Sequence, residues 1–225
     1  MPATAAGRQP RLLTAPTPTR LLDAAERLFV TRGFAATSVR DITSEADCNI
    51  AGINYHFGSK DQLYREVFAR RLGELRDGRL AALQRALRAR DGSLSLEALL
   101  DAFARAFLAP LASQGEGRAL IELMMREYAE PHLPPAMFRD EFVEPIERAV
   151  AAALCRSLDG LSPPSARRCV RSVVAQLLHE VHVMRRQSPP PATAAWRSAL
   201  ERSLDHIVQF SAAGIRACAA SEGRR

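Results

Sequence analysis

From Leu21 onward the apolar residues of this chain recur at three- and four-residue spacings, and nowhere do they alternate over a length that a strand needs. A period near 3.6 collects side chains on one face of a helix, whereas a half-buried strand requires a period of two. The pattern restricts the chain to an all-α fold. Leu21, Leu22, Ala25, Leu28 and Phe29 form a first stripe that stops at Gly33. Leu96, Leu99, Leu100, Phe103 and Phe107 form another, ending at Pro110, and Leu120, Ile121, Met124 and Tyr128 a third, ending at Pro131. Phe138, Phe142, Ile146, Val150 and Leu154 mark the next. Ser162 with Pro163 and Pro164 opens a helix containing Val170, Val173, Val174, Leu177 and Val181, and Trp196, Leu200, Leu204, Ile207 and Phe210 belong to the last. With 225 residues, 47% of them hydrophobic, the chain can bury a sizeable core, in one domain or two small ones.

Residues 1–18 are rich in Pro, Thr and Ala, carry Arg8 and Arg11, sustain no period, and are read as a mobile arm. Three short helices follow within residues 19–66. The first ends at Gly33. Thr37 or Ser38 caps the second, which turns Val39, Ile42 and Ala46 inward and sets Asp41 in its first turn, where a carboxylate favours the positive helix end. After a tight connection at Asp47 and Cys48, Asn49 caps a third helix that stops at Gly58, and Ser59 caps a fourth beginning at Lys60. This is the layout of a helix-turn-helix module, joined to a larger C-terminal helical bundle over residues 67–219.

On the third helix Ile53 and Phe57 share one face and close a small core with Leu28, Phe29 and Ile42. Ile50, Ala51 and Asn54 are left on the solvent side. Ala and Ile suit contact with a thymine methyl, and Asn pairs with adenine. Tyr55 and His56 flank that face and can donate to phosphates, while Arg40, in the first turn of the second helix, suits guanine O6 and N7. Taken singly, Tyr55 or Phe57 would more often be a core aromatic and Arg40 an ordinary solvated charge. The formal charge of +6 permits an anionic partner without requiring one, and the first 70 residues hold nine basic side chains against seven acidic. Spacing carries the DNA reading, not bulk charge.

The stretch from Arg20 to Phe68 resembles the DNA-binding domain of the TetR family without gaps. The opening helix ends in Leu28-Phe29, followed by the Gly33-Phe34 break, the Thr37-Ser38-Val39 entry, the cluster Tyr55-His56-Phe57, and Ser59-Lys60 before Leu63. The resemblance implies base contacts by Arg40, Ile50, Ala51 and Asn54, and phosphate contacts by Ser38, Gly52, Tyr55, His56 and Lys60. Lys60 is the only lysine, and its charge at a helix start opposes the helix dipole, a cost that an anionic partner would offset. One departure stands out: Ala46-Asp47-Cys48 occupies the turn where the family usually has Ala-Gly-Val. Aspartate is among the few other residues that tolerate the left-handed backbone, and cysteine replaces a small apolar residue.

The segment Leu120–Leu154 is similar to the C-terminal domain of the CecR-like branch of that family. Membership implies a one-component repressor, a homodimer paired through its last two helices, released from a pseudo-palindromic double-stranded operator by a small-molecule inducer. Phe103, Phe107, Met124, Met125 and Tyr128, with His179 as a polar contact, are the candidate pocket residues, though at helical spacing such a stripe is more often core. Arg126 and His132 are further polar candidates. His179, Glu180 and His182 invite a metal or acid-base reading, but no full ligand set, nucleophile or phosphate loop accompanies them, so neither metal nor cofactor nor enzymatic activity is expected. Four dispersed cysteines form no CxxC pair and are read as reduced packing residues. No apolar run is long enough for a signal peptide or a bilayer span, so the expected location is cytoplasmic, without a membrane partner.

Overall fold

The computed structural model describes residues 17–88, 95–112, 116–186 and 193–223; most of the arm, including Arg8 and Arg11, lies outside them. Every regular element among the described residues is helical: α1 (Thr17–Arg32), α2 (Val39–Glu45), α3 (Ala51–His56), α4 (Lys60–Arg88), α5 (Leu96–Ala112), α6 (Glu116–Ala129), α7 (Pro135–Phe138), α8 (Glu144–Ser157), α9 (Pro163–Arg186) and α10 (Ala194–Glu222). A π-helical segment, Arg139–Val143, joins α7 to α8. Among these helices none is long and apolar enough to cross a membrane. The chain divides into two compact units, one holding the chain up to Arg70 together with Leu123–His132, the other Arg71–Glu122 together with Leu133–Arg225.

In the first unit Leu21, Ala25 and Phe29 of α1 meet Ile42 of α2, Ile53 of α3, and Leu63, Val67 and Phe68 of α4, all fully buried. The helix ends are closed locally. Gly33 adopts φ +83° and Gly58 φ +76°, the left-handed residues that stop α1 and α3. Ser38 caps α2 in a reciprocal box: its hydroxyl accepts from the Asp41 amide, and the Asp41 carboxylate accepts from the Ser38 amide. Ser59 Oγ accepts the Gln62 amide at 3.0 Å to start α4. Leu123–His132, distant in sequence, is anchored in this unit by buried Glu127, which accepts from Tyr64 Oη at 2.9 Å and from the His132 amide at 2.8 Å. Burial, then the bond to Glu127, raises the Tyr64 pKa well above its ordinary value, so the phenol stays a donor.

In the second unit α9 packs on α8 and α10, and α10 on α5. Bidentate Arg105–Glu201 and the Arg216–Glu97 pair link α5 to α10, and Glu222 accepts from the Ser162 amide and the Ser165 hydroxyl, tying the start of α9 to the end of α10. Helix α5 runs through Pro110 to Ala112, beyond the stop expected at that proline. Its missing amide falls in the last turn, where only one helical bond is forfeited. The strict four-residue spacing Phe138, Phe142, Ile146, Val150 and Leu154 overshoots a 3.6-residue turn by about 40° per step. The wider π turn at Arg139–Val143 takes up part of that drift, and the last four of those side chains are buried. Phe210, by contrast, is 64% exposed on α10.

Candidate nucleic-acid interface and ligand cavity

Among the described residues, the third helix presents a face with nothing packed against it. Ile53 is fully buried, whereas Ile50 is 42% and Tyr55 85% exposed, and Ala51, Asn54 and His56 are also exposed. Gly52 lies on the inner side, where an added Cβ would come within 3.6 Å of Leu21. Asn49 Oδ1 accepts from the Ala51 amide at 3.0 Å, so the side-chain cap expected there forms, two residues ahead of the first residue of α3. Arg40 and Ser38 are exposed at the start of α2. Arg40, Ile50, Ala51, Asn54, Tyr55 and His56 therefore offer donors, an amide and apolar groups to the outside of a rigid three-helix frame.

The turn between α2 and α3 carries the conformation its sequence invites. Asp47 has φ +52°, the one positive φ at a non-glycine position among the described residues. Arg20 pins it from α1: Nη2 donates to the Asp47 carbonyl at 2.6 Å and to Cys48 Sγ at 3.0 Å, and Nε donates to the Ala46 carbonyl at 3.2 Å. Sequence reading missed Arg20, because nothing in its spacing tells a carbonyl clamp from a solvated charge. Lys60 is also engaged internally. Its ammonium donates to the Phe34 and Thr37 carbonyls, both at 3.0 Å, and lies 3.9 Å from the centre of the Phe34 ring, fastening the α1–α2 connection to α4.

The second unit forms a partly open cavity of about 190 Å³ among α4, α5, the π segment, α8 and α9. Its wall includes Phe103, Phe107, Phe142, Ile146 and Val170, with Arg79 as its most deeply buried charge. Of the pocket residues expected from sequence, Phe103 and Phe107 line it. Met124, Met125 and Tyr128 fall in the segment grouped with the first unit, Tyr128 being 81% exposed, and His179 is exposed on α9. Arg126 Nη2 donates to the Thr31 carbonyl at 3.4 Å, and the His132 ring stands 4.5 Å from that of Phe34, so both belong to the first unit. Arg79 did have a sequence signal: with Leu72 and Leu83 it falls on one helical stripe, at a position where the period calls for a hydrophobe.

Two family descriptions match the chain, one within the first unit and one largely within the second. Residues 21–67 match "Bacterial regulatory proteins, tetR family", and residues 101–214, slightly over half the chain, match "Tetracyclin repressor-like, C-terminal domain". The chain belongs to the TetR family. It is a DNA-binding transcriptional regulator of that family, which is not one of enzymes. The HTH-type transcriptional repressor Rv3405c of Mycobacterium tuberculosis is 49% identical over 47 residues, 21% of this chain and 25% of that protein. The match thus spans about a quarter of the relative, the reading head alone. Among solved structures, a TetR-family regulator from Mesorhizobium loti aligns with TM-score 0.67 at 18% identity, covering 91% of this chain and 98% of its own. The multidrug binding protein EbrR, solved in complex with imidazole, aligns with TM-score 0.54 at 20% identity over 87% of this chain and 94% of its own. These likenesses establish the shared fold across both units.

Proposed function

We propose that this TetR-family regulator is a cytoplasmic homodimeric repressor that reads a pseudo-palindromic operator and is released from it by a small molecule. The carrying observation is the exposed face of α3: a 42% exposed isoleucine beside Ala51, Asn54 and an 85% exposed tyrosine suits a major groove better than water. Arg40, Ile50, Ala51 and Asn54 take the base edges in this reading. Ser38, Tyr55 and His56 take phosphates, joined by Lys60 through the N–H its two carbonyl bonds leave over, whereas Gly52, on the inner side with its amide bonded to the Asn49 carbonyl, is left out of the contact set. One short reading helix spans too few base pairs for useful specificity, and a two-fold partner doubles the site. Phe210, exposed on α10, supports pairing through the last two helices.

The cavity of the second unit supports inducer binding, as does the imidazole complex of EbrR for the fold. Helices α4 and α6 each belong to both units and supply covalent routes from cavity to reader. The CecR-like assignment rests on the Leu120–Leu154 segment and forms part of this proposal. A gel-shift on the chain's own upstream DNA, with sedimentation of the free protein, tests it. The expected result is a dimer that binds one palindromic fragment; a micromolar monomer with full operator affinity overturns the dimeric reading.

A further inference from the structure

Arg79 is 93% withdrawn from solvent, with a relative exposure of 7%, yet among the described residues it has no acidic partner. Its Nε makes no hydrogen bond, and Nη2 reaches only the Phe107 carbonyl, at a long 3.4 Å. What surrounds the guanidinium is aromatic. Its Cζ lies 4.0 Å from the centre of the Phe107 ring and 5.1 Å from that of Phe142, both in the cavity wall. Burial lowers its pKa to about 10, which still leaves it charged near neutral pH. The other charged pair on the wall is self-contained: Glu147 accepts from Arg171 Nε at 3.2 Å and Nη2 at 3.0 Å.

A buried charge is ordinarily paired, because dehydration is expensive and ring faces recover only part of the loss. A guanidinium presents a planar fork that matches a carboxylate in two parallel hydrogen bonds, a geometry that an ammonium would not supply. The remaining wall is apolar, and about 190 Å³ is only modestly larger than a cavity that holds a benzene molecule, roughly 150 Å³. We infer that the cavity of the second unit takes a small amphipathic acid, an aromatic or short-chain monocarboxylate, whose carboxylate pairs with Arg79 while its apolar body lies against Phe103, Phe107, Phe142 and Ile146. The inference deepens the ligand-released reading and, for its regulatory meaning, rests on it.

The test uses the full chain and matched probes: benzoate, phenylacetate, hexanoate and octanoate, each beside its neutral primary amide. At least one acid raises the melting temperature and binds ten-fold or more tightly than its amide, and Arg79→Met removes that preference while Arg79→Lys retains part of it. Equal binding of acid and amide, an undiminished preference in Arg79→Met, or no response to any of the acids overturns the proposal. The wild-type comparison decides the matter even if Arg79→Met does not fold. Operator release separates the two levels. Acids that bind through Arg79 without lifting the protein from DNA uphold the anion site and sink the release mechanism. A neutral inducer that releases DNA, with no acid binding, does the reverse.

Discussion

Two cations of helix α4, Lys60 in the first unit and Arg79 in the second, differ in their surroundings. Lys60 meets two carbonyls and the face of Phe34; Arg79 meets the faces of Phe107 and Phe142 and one distant carbonyl. Elsewhere in the first unit the same economy holds. Arg70 bonds Asp23 and Glu26 at 2.8 and 2.6 Å, Glu127 accepts from Tyr64 and His132, and Arg20 closes the turn before α3. Most of its inner polar groups are spent on holding a frame, Arg70 Nε being a buried exception, while Arg40 and Asn54 stay exposed. The second unit leaves a charge unmatched, among the described residues, inside an apolar wall. On the proposed function that contrast is the expected one, because a reader must be rigid before its ligand arrives, whereas a sensor gains from a site that its ligand completes.

The largest expected effect breaks function from stability in the reader. Arg40→Ala and Asn54→Ala should each cost about 1–3 kcal/mol of discrimination between operator and random duplex, while unfolding free energy changes by less than about 0.5 kcal/mol because both are exposed. Competition gel-shifts and urea melts measure the two; equal losses on both kinds of DNA would remove these residues from the base-reading face. Lys60→Met sharpens the contrast between the two cations. Leaving the Phe34 and Thr37 carbonyls without their donor should destabilise the protein by about 2 kcal/mol, the cost of a lost charged hydrogen-bonding group. An unchanged urea midpoint with a salt slope lower by about one would assign Lys60 to phosphate alone.

Next in size is Ser38→Ala. Removal of an N-cap hydroxyl should cost about 1 kcal/mol. The same box makes the cap sensitive to acid. The Ser38 hydroxyl first, then its amide, lowers the Asp41 pKa below its ordinary 3.8, so this contribution is fully present above that value and is lost as pH falls through the lowered one. In Ser38→Ala the acid-side loss below pH 3.8 should shrink. If it persists undiminished, the carboxylate owes its lowered pKa to the Ser38 amide, which the variant keeps, and then to Arg32, whose Nη1 lies 3.6 Å away.

The reader was legible because its elements are local. Gly33, Ser38, Asp41, Gly58 and Ser59 act within one turn of their own position, and on a helix as short as α3 the burial of Ile53 dictates the exposure of Ile50 and Asn54. The cavity was legible only in part. Phe103 and Phe107 lie on a stripe that faces inward, but which inward residues border empty space depends on how α4, α5, α8 and α9 cross, and periodicity does not contain that. Met124 and Tyr128 illustrate the limit. They continue the stripe of Leu120, yet compactness groups Leu123–His132 with the reader, through the long-range pairing of Tyr64 with Glu127 that no local rule anticipates.

The smallest expected effect concerns the turn that aims α3. At φ +52° Asp47 sits where an ordinary L-residue loses about 1–2 kcal/mol, and where aspartate loses less. Asp47→Gly removes that strain but adds freedom to the unfolded chain, worth about 0.4–1 kcal/mol in the opposite direction. The two terms nearly cancel. The Arg20 clamp is insensitive to the change, because its bonds run to the carbonyls of Ala46 and Asp47 and to Cys48 Sγ, not to the Asp47 side chain. Asp47→Gly should therefore shift stability by less than about 0.5 kcal/mol and leave operator affinity intact, whereas Asp47→Val should cost about 1–2 kcal/mol. Chemical denaturation of the two variants beside the parent measures both terms. If glycine and valine proved equally harmless, the left-handed conformation at residue 47 would not be the one the protein adopts in solution.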